Sequence, residues 1–196
     1  MISALELWAQ TSLPPFGRNA GLVSVSGYLI INLEANLRTL PPKAELGWWD
    51  QYYFSTERGR LGYSENRGEF NKLVWQMASP DWEFDDATFE RTAASFANPD
   101  HVDIVIHNYR WRLSLAEGEP QYGDLESRLF ERPVIPAPTV TIGSEFDGAA
   151  ADGGVYAEKV SGAYSHRVLE GSGHNVPQGA PGAFTDAFLE VGGGLS

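Results

Sequence analysis

"PTVTIGSEFDG" (138–148) and "YSHRVLEGSGHNVPQ" (164–178) decide how this sequence folds. Each opens as a short run with β-branched and apolar residues, then meets glycine with an acid or a histidine beyond it. Such runs, bounded by turn residues, read as strands of a parallel sheet. "GGVYAEKVSG" (153–162) between them reads as a short helix. "PGAFTDAFLEV" (181–191) follows, with Phe184, Ala187, Phe188 and Val191 at helical spacing and Pro181 near its start. Strand, helix, strand, helix predicts a parallel pair joined by a right-handed crossover. In open parallel sheets, ligands bind outside the carboxyl ends of the strands. Asp147 follows one strand and His174 the next. An Asp so placed can accept the imidazole N–H and hold the ring in the tautomer that takes a proton. Singly, an Asp before Gly is an ordinary turn residue, and a His after glycines an ordinary loop residue. The pair, each just past its own strand, carries the catalytic reading.

Upstream, "GLVSVSGYLI" (21–30) reads as a third buried strand after the loop-like "SLPPFGRNA" (12–20). From about Leu33 to Leu115 the chain reads helical. "PPKAELGWWDQYYFSTERG" (41–59) predicts one helix opening at its prolines and ending at Gly59. "SENRGEFNKLVWQMAS" (64–79) predicts another, capped by Ser64 and stopping before Pro80. "DDATFERTAASFAN" (85–98) opens on acids, as a helix dipole favours. "NPDHVDIVIHNYRWRL" (98–113) offers Asn98 as cap and Pro99 as first helical residue. "EGEPQYGDLESRLFERPVIPAP" (117–138) reads as a polar, proline-rich connection.

The 196 residues suit one domain with a substantial core. The net charge of −12 repels phosphate backbones and anionic bilayers, so neither nucleic acid nor membrane is an expected partner. The absence of cysteine excludes a disulfide framework, a thiolate metal site and a cysteine nucleophile, and fits a cytoplasmic location. "MISALELWAQ" lacks the basic start of a secretion signal. Asp100, His101, Asp103 and His107 cluster, and Asp103 and His107 share a helix face. A solvated helix start is the commoner use of such a set, and no metal or other cofactor is expected.

The segments "PTVTIGSEFDG" and "YSHRVLEGSGHNVPQGAPGAF" (164–184) resemble the C-terminal part of an α/β-hydrolase, and "GLVSVSGYLI" resembles the sixth strand of that fold. The helical block resembles the cap inserted after that strand. "WWDQYYFSTERG" (48–59) and "HNYRWRL" (107–113) are similar to cap segments of the epoxide-hydrolase and haloalkane-dehalogenase branch. The resemblance implies an α/β class: a partial α/β-hydrolase fold, few parallel strands with an inserted helical cap. It divides the chain into a leader with one core strand (1–32), the cap or lid (33–117) and the C-terminal part of the core (118–196). It makes Asp147 the triad acid and His174 the base, and it matches Tyr109 to a cap tyrosine that hydrogen-bonds an epoxide oxygen. The second such tyrosine would precede the Gln of "DQYYF", where this chain has Asp50. Gly179 stands where many relatives carry an acid.

The nucleophile is missing. No G-x-S-x-G or G-x-D-x-G elbow occurs in the chain. Ser24 and Ser26 fall in a predicted strand, and Ser144 and Ser172 adjoin the expected acid and base. The expectation is a truncated hydrolase acting on a small apolar epoxide or ester, inactive alone, with either Ser or Asp as the missing nucleophile. A sheet lacking strands would leave an edge through which the chain could self-associate. Two other readings stay open: a non-catalytic ligand-binding or interaction remnant of the fold, and a remnant that never folds stably.

Overall fold

The computed structural model describes residues 21–26, 33–147 and 153–193, apart from a few side chains within their elements. They form two compact units. Residues 33–74 and 84–123 make the first; residues 21–26, 75–83, 124–147 and 153–193 belong to the second. Among the described residues no helix is long and apolar enough to cross a membrane.

The second unit is built on a three-stranded parallel sheet of β1 (Leu22–Val25), β2 (Thr139–Ser144) and β3 (Tyr164–Leu169), in that order. The middle strand is buried along its whole length, as a strand covered on both faces must be. Its side chains alternate. Val140 and Ile142 join Val176, Ala187 and Val191 in one apolar cluster. Thr139 and Thr141 point the other way; Thr141 Oγ1 bonds the Tyr164 hydroxyl at 2.8 Å and His166 Nδ1 at 2.7 Å. A second cluster joins Leu22, Ile135, Ala137 and Tyr156. The part of "GLVSVSGYLI" beyond Ser26 lies outside the described residues, as does the leader.

The helices in chain order are α1 (Leu33–Asn36), α2 (Pro42–Gly47), α3 (Trp49–Phe54), α4 (Glu57–Glu65), α5 (Arg67–Ala78), α6 (Asp86–Ala93), α7 (His101–Arg112), α8 (Gly123–Phe130), α9 (Gly154–Ala157), α10 (Val176–Gly179) and α11 (Pro181–Gly193). The helix expected over 41–59 is three pieces. Trp48 breaks it first. Ser55 and Thr56 break it again, their hydroxyls donating to the carbonyls of Tyr52 and Tyr53. Such local bonds compete with the helical ladder. Thr56 then caps α4 by accepting the Gly59 N–H at 3.0 Å. Gly59 therefore does not stop a helix. It sits in the first turn of α4, where a Cβ would collide with the Tyr53 carbonyl.

Other boundaries shift for similar reasons. Ser64 caps nothing; it lies inside α4 and donates to the Leu61 carbonyl. Asn98 accepts the Asp100 N–H at 2.9 Å, closing a turn ahead of α7 instead of capping its first residue. The connection 117–138 contains α8, whose half-buried Leu125 and Leu129 are one helical turn apart. In α11, Ala187 and Val191 are buried as expected, but Phe188 is 62% exposed.

The first unit is helical. Phe54, Tyr63 and Ile106 are its buried centre. Phe54 packs its ring 5.0 Å from Tyr63 and 5.3 Å from Tyr109, centroid to centroid. Edge-on and tilted contacts of this kind add to simple burial.

Candidate functional site

Parallel pairing puts the ends of β2 and β3 at one sheet edge, with Ser144 opposite Leu169. A 3₁₀ turn, Glu145–Asp147, follows β2 directly. Asp147 ends that turn; its side chain lies outside the described part of the structure. The loop after β3 turns at Gly171, whose φ of +62° suits glycine, and presents an exposed His174. The two loops touch: Glu145 Oε2 accepts the Gly171 N–H at 3.4 Å. Sequence reasoning placed Asp147 and His174 at the ends of neighbouring strands, and their backbones stand there.

It missed the segment that holds the histidine loop. α5 ends at Ala78, and a carbonyl at a helix end has no partner within its own helix. The Ala78 carbonyl instead accepts the His174 N–H at 2.7 Å. Ser79 Oγ accepts the next amide, Asn175 N–H, at 2.9 Å. Ser79 is 1% exposed. Trp75 and Trp82, whose rings are tilted against each other with centroids 5.2 Å apart, flank this turn. The signal in the sequence was slight: a serine at a helix end before a proline, with a tryptophan on either side.

Ser26 lies past β1 at the same sheet edge, its N–H donating to the Ile142 carbonyl at 2.9 Å. Its φ is +46°, and its hydroxyl is buried without a hydrogen-bond partner among the described residues.

Tyr109 belongs to the first unit. Its hydroxyl donates to Asp50 Oδ2 at 3.4 Å. Burial, then the Asp50 charge, pushes the phenol up to about 12, so it keeps its proton at any physiological pH. Burial also raises Asp50 above the ordinary carboxylate value. Tyr52 bonds Glu45 instead, and Tyr53 stacks on Phe70 at 5.4 Å. In the same unit an open hollow of about 1000 Å³ is lined by Leu37, Leu46, Trp48, Trp49 and Tyr52 among others, but by neither Asp50 nor Tyr109.

Comparison with solved structures decides the family. A candidate epoxide hydrolase from Klebsiella pneumoniae subsp. pneumoniae is 46% identical, with a TM-score of 0.86; the match covers 95% of this chain and 62% of that one. The chain belongs to the α/β-hydrolase family. The epoxide hydrolase CorEH matches at 12% identity and a TM-score of 0.69, over 98% of this chain and 64% of that one. A candidate α/β hydrolase from Nostoc sp PCC 7120 matches at 15% and 0.67, over 96% and 61%. At those identities the last two show the fold alone. No family model and no curated protein matches.

This α/β-hydrolase chain thus spans about 62% of the length of its Klebsiella relative. Its three parallel strands and helices are a partial α/β-hydrolase fold. The Asp100–His107 cluster has structural partners. His101 bonds the Tyr63 hydroxyl at 2.9 Å, Asp103 pairs with Arg60, and His107 contacts the Glu117 carbonyl. Among the described residues no group of three His, Cys, Asp or Glu could hold a metal ion.

Proposed function

We propose that this chain carries the base and the acid of an α/β-hydrolase that opens a small apolar epoxide, with an ester as the competing substrate class. The reading rests on one observation: the Asp147 turn and the His174 loop leave adjacent parallel strands at one sheet edge. In this mechanism a nucleophile on a segment outside these 196 residues attacks the substrate and forms a covalent ester. His174 then takes a proton from water, and that water attacks the ester. Asp147 keeps the imidazole in the receptive tautomer and offsets the imidazolium charge. The resemblance of its cap segment gives Tyr109 the role of hydrogen-bonding an epoxide oxygen. What supports the epoxide branch is the 46% identity to the Klebsiella protein. Asp50, standing where the second cap tyrosine is expected, weighs for the ester.

The test joins this chain to the part of the Klebsiella protein that it does not cover. The 196-residue chain alone is expected to leave a small aryl epoxide and a p-nitrophenyl ester untouched. The joined protein is expected to turn over one of them, and His174→Ala to reduce that turnover by about 10⁴-fold. A well-folded joined protein that is inactive on both, or equally active without His174, sinks the proposal.

A further inference from the structure

We infer that Ser79 is a positioning residue for His174, holding the loop that presents the imidazole; this rests on reading His174 as the base. A base must be held within about 0.5 Å of its working place. Yet the loop between β3 and α10 contains Gly171 and Gly173, and its histidine is exposed. β-Sheet pairing stops at Leu169, so it cannot fix residues 173–175. Those residues are fixed from the side by the turn after α5. Two consecutive amides are tied down, His174 N–H to the Ala78 carbonyl and Asn175 N–H to Ser79 Oγ.

Gly173 lets the loop lie directly on that turn. A Cβ there would meet Ser79 Cα, with the Ala78 carbonyl oxygen and Ser79 Cβ each only 2.7 Å away. Any residue at position 78 offers a carbonyl. Of these two ties, the one to the hydroxyl at position 79 depends on side-chain identity. Ser79 is 1% exposed, so water cannot take over the acceptor role unless the contact opens.

The experiment uses the 196-residue chain and compares wild type with Ser79→Ala. Hydrogen exchange reads the Asn175 amide. The rate of histidine carbethoxylation by diethyl pyrocarbonate, mapped by mass spectrometry at fixed pH, reads the imidazole. His101, His107 and His166 serve as internal references. In Ser79→Ala the Asn175 amide is expected to exchange about tenfold faster, and the His174 rate to change by about threefold or more, with the other three histidines unmoved. Gly173→Ala, which crowds the contact and keeps the hydroxyl, is expected to move the same two readings. An unchanged His174 rate in folded Ser79→Ala overturns the inference, even where Asn175 exchange quickens, because Ser79 would then serve the backbone alone. Neither reading uses turnover. A joined enzyme without activity therefore counts against the hydrolase proposal, separately from the Ser79–His174 link.

Discussion

The Tyr109 hydroxyl donates to Asp50 Oδ2 and so ties α7 to α3. Burial is the largest influence on Asp50 and raises its pKa above 3.8; the hydrogen bond from Tyr109 and the nearby Arg112 charge pull the other way. The folded chain therefore holds the Asp50 proton more tightly than the unfolded chain does. Stability falls as pH rises from 3.8 through the higher folded value, because ionised Asp50 is better solvated when unfolded. Asp50→Asn is expected to melt at a higher temperature than wild type at pH 7. That advantage should shrink on acidification toward pH 3.8, as folded wild-type Asp50 takes up its proton. Thermal melts at both pH values decide it; a gain equal at the two contradicts the assignment.

Ser26 combines two unfavourable features. A left-handed backbone conformation disfavours any residue with a Cβ, and its buried hydroxyl finds no partner among the described residues. Glycine removes both at the expense of greater freedom in the unfolded chain. The net expectation for Ser26→Gly is a gain of about 1 kcal/mol in urea unfolding. A loss of stability would mean that the hydroxyl is bonded after all.

Apolar residues near the two faces of the sheet should separate sharply in a stability assay. Ile135 is 0% exposed, donates its N–H to the Lys159 carbonyl at 2.8 Å and packs with Leu22, Ala137 and Tyr156. Ile135→Ala should cost roughly 2–5 kcal/mol through lost contacts and the cavity left behind. Phe188→Ala removes a larger side chain that is 62% exposed and should stay within about 0.5 kcal/mol. Comparable losses at the two positions would show that Phe188 is covered in solution.

These residues also show what the sequence could reveal. The strand β2 was legible because four of its six buried residues, Thr139–Ile142, form a continuous β-branched run. The ends of β2 and β3 were legible because polar residues follow each apolar run, Glu145 after β2 and Glu170 after β3, and that was enough to put the backbones of Asp147 and His174 just past them. Phe188 misled because periodicity marks a helical stripe but not how wide a stripe the neighbours cover. The break at Ser55–Thr56 was hidden because hydroxyl-to-carbonyl bonds compete with the helix only locally. Ser79 was out of reach for a different reason. Its bond to Asn175 spans 96 residues of chain, and no local pattern encodes a partner that distant.

Two carboxylates follow β2, Glu145 and Asp147, and the proposed mechanism gives them different tasks. Glu145 reaches the turn of the histidine loop through the Gly171 N–H, at 3.4 Å and in an exposed position. A long, exposed hydrogen bond of this kind contributes little, and a glutamine oxygen can accept the same N–H. Asp147, two residues further on, is the proposed partner of the imidazole, where an amide would stabilise the wrong tautomer and no imidazolium charge. In the joined protein, Asp147→Asn is therefore expected to lower kcat by about 10⁴-fold, while Glu145→Gln changes it by no more than about threefold. Steady-state turnover of the active substrate measures both. The opposite pattern, with Glu145→Gln inactive and Asp147→Asn active, would move the acid to Glu145 and make the Gly171 contact a resting position of the catalytic carboxylate.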